Sequence, residues 1–305
     1  MKSSHLTLFI LSLFLTSCSQ EENYYENYDK NLKVFSQYTP IELIEQNILN
    51  VSYGEHPDQV FDIYLPQGRT PNKTKVIMVV HGGNWMNGDK SSMTDFVLDL
   101  KAQNPDHAIV NLNYILGGST HYACPNQFLD IGQAINLIKN NRVEYQINPE
   151  FGLLGSSSGG HLTLQYAYKH DVNNDIKFVG SLGGPTNFLD SFYDDYFINL
   201  EDLLVDKDYY YDIYNSTNIN FAKILSPIYQ VREDSPATIL FYGNEDLVVP
   251  FSNGEILEQY LIDNNIPHDF NMFQGGHGAW YTDSYEATLH SNISAFIETH
   301  LPINE

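Results

Sequence analysis

Residues 151–160 read Phe-Gly-Leu-Leu-Gly-Ser-Ser-Ser-Gly-Gly, an apolar run that breaks abruptly into glycine and serine. The apolar part suits a buried strand. At its end, Gly155-Ser156-Ser157-Ser158-Gly159 has the Gly-x-Ser-x-Gly spacing of a sharp strand-to-helix turn that lifts a serine out of the sheet. Side chains two residues either side of that serine would collide, and glycine removes the collision. Three consecutive serines leave the register unambiguous, because only Ser157 has glycine both two residues before it and two after. Ser157 is therefore the candidate nucleophile. Taken alone the string would equally suit a Gly/Ser turn, so its weight comes from what surrounds it.

Upstream, Val76-Ile77-Met78-Val79-Val80 reads as a strand buried on both faces and runs directly into His81-Gly82-Gly83-Asn84-Trp85. Attack by a serine on a carbonyl creates an oxyanion that needs fixed N–H donors, and glycines let the backbone approach closely enough to supply them. Gly83 or Asn84, together with Ser158, is expected to donate. A serine hydroxyl is a poor nucleophile until a base takes its proton, so a histidine held by a carboxylate should follow. Asp246 lies just past the apolar stretch Thr238 to Tyr242, and His277 lies in Gly275-Gly276-His277-Gly278 ahead of the last helix. Each has an ordinary alternative, a turn-capping carboxylate or a hydrogen-bonded loop histidine. Jointly, in this order and each after a strand, those alternatives lose ground. Glu245 is the rival acid, and Asp246 is preferred for its spacing from Gly243 and Val249-Pro250. His161 sits too close to Ser157 in sequence to reach round it, and is expected to pack under the site.

These residues resemble the α/β-hydrolase superfamily, and within it the esterase group of feruloyl and acetylxylan esterase-like (BD-FAE-like) bacterial proteins. The likeness runs from about Asn47 to the C-terminus and is carried by 81–85, Asn113-Tyr114, the helix pattern Asp130 to Asn140, Asn148-Pro149, 155–162 and the loops of Asp246 and His277. It implies a Ser157, Asp246, His277 triad and an acyl-enzyme mechanism. The chain departs from the group at Ile115, where an arginine usually follows the tyrosine, and in an acidic, aromatic stretch before the acid loop.

The pattern along the chain agrees with such a fold. Asn50 to Tyr53 and Val60 to Leu65 read as an antiparallel edge meander. Strands and helical stripes then alternate, with Met93, Phe96, Val97 and Leu100 on one helix and Phe128, Ile131, Ile135 and Ile138 on the next. Alternation predicts one α/β domain over 46–305, a doubly wound, mostly parallel sheet with helices on both faces and ligands at its carboxyl edge. Residues 187–220 break the rhythm with interleaved aspartates and aromatics. A small cap, either an aromatic lid or a solvated helical insertion, fits this stretch better than a calcium site, because no Asp-x-Asp-x-Asp-Gly loop occurs. Trp85 and Trp280 offer flat faces for a sugar or phenolic ring, or equally for core packing.

The amino terminus speaks to location. Lys2, the apolar stretch to Leu15 and Leu15-Thr16-Ser17-Cys18 make a lipoprotein signal peptide over 1–17, with Cys18 as the lipidated first residue of the mature chain. Residues 18–45, rich in Glu, Asn and Tyr, would form a flexible tether. With Cys18 lipidated, Cys124 has no partner for a disulfide. A net charge of -23 disfavours nucleic acid and anionic membrane surfaces, so contact with a membrane is expected only through the lipid. The expected protein is an exported bacterial lipoprotein of the outer membrane, a serine carboxylesterase acting on small-molecule or polysaccharide esters, with no metal or organic cofactor required. A serine peptidase or amidase on the same fold, or a catalytically silent glycan-binding lipoprotein, are the competing readings.

Overall fold

The computed structural model describes residues 43–193 and 201–303. The leader, Cys18 and most of the tether lie outside the described residues, as do Asp194, Asp195, Tyr196 and Phe197 of the acidic insertion. By internal contacts the chain divides after Glu42, and everything described below belongs to the unit Leu43–Glu305.

Eight strands form one sheet: β1 (Gln46–Ser52), β2 (Val60–Leu65), β3 (Val76–Val80), β4 (Ala108–Leu112), β5 (Phe151–Ser156), β6 (Ile176–Leu182), β7 (Ala237–Gly243) and β8 (His268–Phe273). Their spatial order is β1-β2-β4-β3-β5-β6-β7-β8. β1–β2 and β2–β4 pair antiparallel, and every pairing from β4 to β8 is parallel. Among the described residues the longer helices between the strands are α1 (Thr94–Gln103), α2 (Asn126–Asn140), α3 (Ser158–Gln165), α4 (Lys207–Tyr214), α5 (Ser252–Asp263) and α6 (Glu286–His300). This is the α/β-hydrolase arrangement.

Two cores flank the sheet because successive strand residues point to opposite faces. In β3, Val76, Met78 and Val80 face the core that takes in Phe128 of α2, Leu162 of α3 and Leu257 of α5. Ile77 and Val79 face the other, with Phe96 of α1 and Leu289, Ile293 and Phe296 of α6. All five β3 residues are fully buried, and each such side chain stabilises the fold by about 1.5–3 kcal/mol before chain entropy is counted. Layers on both sides leave the carboxyl edge of the parallel strands as the open rim.

Three elements differ from the sequence reading. β1 begins four residues early, at Gln46 rather than Asn50, and of the two meander strands only β1 is at an edge of the sheet, with β2 inside it. β1 is largely exposed, so its polar Gln46 and Asn47 hide a strand that only its backbone pairing defines. Asp62 in β2 is buried and paired with Lys90 at 2.9 Å, which accounts for a carboxylate inside the sheet. α3 begins at Ser158, three residues before the expected His161. Ser158, Gly159 and Gly160 are poor helix formers, yet tertiary packing outweighs propensity here: a Cβ on Gly159 would stand 2.4 Å from the carbonyl oxygens of Val80 and His81. In the insertion, Asp206 caps α4 by accepting from the Tyr209 N–H at 3.1 Å, and Lys207 pairs with Glu201 and Asp202. Among the described residues these acids do not converge on one ion site.

Candidate active site

Ser157 occupies the turn between β5 and α3 with φ 52° and ψ −123°, a region that side chains rarely adopt and that stores roughly 1–3 kcal/mol. The surroundings enforce it. A Cβ on Gly155 would lie 2.2 Å from the carbonyl oxygen of Gly159, so β5 and α3 meet backbone to backbone across the turn. The Ser157 N–H donates to the Leu182 carbonyl at 2.8 Å, which ties the turn to the end of β6.

Asp246 and His277 come from the ends of β7 and β8. Their loops interlock: the Glu245 N–H donates to the Gly275 carbonyl at 2.9 Å, and a Cβ on Gly243 would meet the Gly275 and Gly276 carbonyl oxygens at 2.4 and 2.5 Å. Asp246 Oδ1 accepts from the Val248 and Val249 N–H groups at 2.7 and 3.0 Å, leaving Oδ2 for His277 Nδ1 at 2.6 Å. A carboxylate only accepts, so Nδ1 carries the proton and Nε2 is left to accept from Ser157 Oγ, 3.0 Å away. Burial pushes the Asp246 carboxyl up, but the hydrogen bonds from His277, Val249 and Val248 outweigh it and hold the group below the usual carboxylate range. The structure thus joins Ser157, His277 and Asp246 in one hydrogen-bonded relay able to pull a proton off the serine. Glu245 is exposed and pairs with Gln274 instead.

His161 lies below, fully engaged elsewhere. Its Nδ1 accepts from the Trp85 indole N–H at 3.1 Å and its Nε2 donates to the Leu225 carbonyl at 2.8 Å. Burial drops its pKa to about 4, so the ring is neutral.

The loop after β3 packs directly on the serine turn. A Cβ on Gly82 would stand 2.8 Å from the Ser156 carbonyl oxygen and 3.0 Å from Ser157 Cβ. Gly83 has φ 130° and turns its carbonyl inward to accept from Met86 and Asn87, and Asn84 and Trp85 follow with φ 56° and 61°. Ser158 opens α3, so its N–H has no carbonyl a turn back within the helix. Gly83 lines one cavity together with Ser157, and Asn84 and Ser158 line a second one together with it.

Two cavities meet at Ser157. One, about 580 Å³, is lined by Gly83, Ser157, His277, Asp95, Glu286 and His290 among others. The second, about 370 Å³, is lined by Asn84, Trp85, Ser158, Phe192, Tyr193 and the 247–249 segment. Trp280 forms a wall of the first and Trp85 of the second, though each is at least 95% buried, with Trp280 edge-on to His277 at 5.9 Å.

The sequence pattern of the BD-FAE family matches residues 61–261, two thirds of the chain. The chain belongs to the BD-FAE family. It is 25% identical over 249 residues to a probable isoprenylcysteine alpha-carbonyl methylesterase of Oryza sativa subsp. japonica, covering 74% of this chain and 55% of the relative. It is 24% identical over 218 residues to esterase LipC of Mycobacterium tuberculosis, covering 66% and 51%. The chain spans about half the length of these curated relatives. Among solved structures, a truncated carbohydrate esterase from gut microbiota superposes with TM-score 0.64 at 20% identity, over 84% of this chain and 96% of the other. The propionate-bound esterase Est2 of Thermogutta terrifontis superposes with TM-score 0.68 at 15% identity, over 89% and 98%.

Within this BD-FAE chain, Phe192 and Tyr193, from the aromatic stretch read as a lid or a solvated insertion, line the smaller cavity, as do Leu247 and Val248, to which the sequence reading gave no role. Leu247 and Val248 carried a signal: two apolar residues beside the candidate acid, 86% and 56% exposed, have no core to fill. Gln127 holds the β3 loop through bonds from Nε2 to the carbonyls of Trp85 (2.7 Å) and Ile115 (2.9 Å). At the departure from the family pattern, buried Asp130 accepts from the Ile115 N–H at 2.8 Å and from Gln59 at 2.8 Å, so neutral donors hold it.

Proposed function

We propose that this chain is a serine carboxylesterase. The observation that carries the reading is the relay from Asp246 through His277 to Ser157, set in strained backbone where two cavities meet. His277 Nε2 takes the Ser157 proton as Oγ adds to the ester carbonyl. The N–H groups of Ser158 and of Gly83 or Asn84 hold the oxyanion. His277 then returns the proton to the departing alkoxide, and water releases the acid by the reverse path. Asp246 keeps the proton on Nδ1 and stabilises the imidazolium.

The same chemistry orients the substrate. The departing oxygen must reach His277 Nε2, so the alcohol lies in the cavity that His277 lines; the acyl group lies opposite, against Asn84 and Ser158. Trp85, Phe192, Tyr193 and Leu247 suit a short or aromatic acyl group. Ser92, Asp95 and Glu286 suit an uncharged, hydroxyl-rich alcohol such as a sugar, and repel an anionic one. Acylated polysaccharide is the substrate class these walls favour.

The chain is further proposed to be an exported lipoprotein of the outer membrane, anchored through Cys18. Among the described residues no helix is long and apolar enough to cross a membrane. Lipid-precursor labelling lost in Cys18→Ala supports the anchor, and label retained by that variant rejects it.

Hydrolysis of para-nitrophenyl acetate, butyrate and a long-chain ester, with Ser157→Ala beside it, tests the activity. Short-chain turnover abolished in a folded Ser157→Ala supports the reading. Equal turnover in the variant, or none by the folded wild type on these esters and on acetylated or feruloylated glycans, rejects it.

A further inference from the structure

Beside the larger cavity, which Glu286 and His290 of α6 line, Asp99 of α1 and these two residues each offer a ligand atom, all within 4.8 Å of one another. Glu286 and His290 are four residues apart, hence neighbours on one helix face, and α1 packs across from them. The acids alone would mean little, since both are exposed and acidic surfaces are common. His290 is different. Its side chain is 5% exposed, its Nδ1 is buried with no hydrogen-bond partner, and its Nε2 faces Asp99 Oδ2 across 3.7 Å, beyond hydrogen-bond reach. The atom a ligand would complete is Nε2, which makes no hydrogen bond and faces Asp99 from a ring held in place by Phe96 at 5.2 Å, whereas the unpartnered Nδ1 lies on the other side of that ring.

We propose that Asp99, Glu286 and His290 form a binding site for a divalent transition-metal ion of the zinc class. One imidazole and two carboxylates are the donor set such ions take, whereas calcium and magnesium would prefer oxygen alone. Bonds of about 2.0–2.1 Å in a tetrahedral site place ligand atoms roughly 3.3 Å apart, so the 3.7 Å between His290 and Asp99, and separations of up to 4.8 Å within the trio, must close by movement of the two exposed carboxylates. Three protein ligands leave a position for water, and Glu286 and His290 line the same cavity as His277. The ion would join α1 to α6. The site stands apart from the serine relay, and the proposal does not depend on the esterase reading.

The test is metal binding by the untagged full chain, stripped with a chelator and titrated with Zn²⁺ against a chromophoric competitor, with Co²⁺ as a spectroscopic substitute. One equivalent of Zn²⁺ is expected, with visible d–d absorption from Co²⁺ and a rise in melting temperature. Asp99→Asn and Glu286→Gln, both at exposed positions, should each weaken binding at least about tenfold, and Glu298→Gln on the same helix should not. His290→Gln should abolish the site; should it fail to fold, the two carboxylate variants still decide. Absence of saturable binding, or binding that survives both carboxylate variants because it lies at another histidine such as His56 or His121, overturns the proposal.

Discussion

The two cavities that share Ser157 differ in what built them. The smaller is assembled from the cap and two loops, with Phe192 and Tyr193 arriving from the insertion, Leu247 and Val248 from the acid loop and Trp85 from the β3 loop. The larger is walled by helices of the scaffold, with Ser92, Asp95 and Phe96 from the entry to and body of α1, and Glu286 and His290 from α6. An esterase needs unlike halves, because the two sides of an ester bond are chemically unlike. On the proposed assignment the acyl side can be altered through loops without disturbing the fold, whereas the alcohol side is tied to the packing of α1 on α6.

The relay belongs to both sides, so removing it should abolish both. Ser157→Ala is expected to lower kcat by at least about 10⁴-fold on every ester, with circular dichroism unchanged, and Asp246→Asn to come close to it by leaving His277 in the wrong tautomer. A variant that lost one ester class and kept another would break the scheme of one serine between two pockets.

Acid should separate the two sides next. His161 sits under the acyl side, accepting from Trp85 and packed against Phe188 at 5.1 Å, and its pKa of about 4 lies below the 6.5 of an exposed imidazole. The folded state prefers the neutral ring, so this contribution is present above pH 6.5 and is lost as pH falls toward 4, by about 3 kcal/mol in all. A protonated Nδ1 can no longer accept from Trp85, so indole fluorescence should shift with the loss of stability. His161→Gln should reduce, without abolishing, the slope of a stability profile measured by urea unfolding from pH 7 to 4, because burial drops His170 to about 4 as well. An unchanged slope would show that His161 is not the group that titrates.

How much of this the sequence carried depends on distance along the chain. The Gly155 to Gly159 spacing, the apolar run into His81 and the glycines around His277 are local signals, because each reports a backbone constraint within a few residues. The alternation of strands and helices followed from periodicity, whereas the start of β1 did not, because an exposed edge strand carries little apolar pattern. Phe192 and Leu247 were illegible as partners, since 55 residues and two loops separate them and only the folded sheet edge brings them to one cavity. Trp85 and Trp280 were legible as aromatics near the site but not as walls of opposite cavities.

Phe192→Ala sharpens the acyl assignment. Its ring is 46% exposed, so its removal should leave stability nearly unchanged. It should lower kcat/KM for an aromatic acyl ester by about tenfold while changing the acetyl ester little, the size expected when a modest apolar contact is lost from a pocket. Equal losses on both esters would mean that the cap acts by positioning the serine turn, and the comparison of the two cavities would have to be redrawn.

The smallest effect bears on the alcohol side. Asp95 is exposed at the rim of the larger cavity, so its field reaches a bound alcohol largely through water. A charge about 6 Å away at that dielectric is worth roughly 0.7 kcal/mol, or threefold. Asp95→Asn, measured with metal chelated so that Asp99 and Glu286 keep their charge, should raise kcat/KM about two- to threefold for an acetylated uronic acid and leave the neutral sugar ester unchanged. Salt near 1 M, where screening acts within about 3 Å, should erase the difference between variant and wild type. A gain on the neutral ester as well would point to steric relief by Asp95→Asn, and a gain on the anionic ester that persists in high salt would place the charge in direct contact with the substrate.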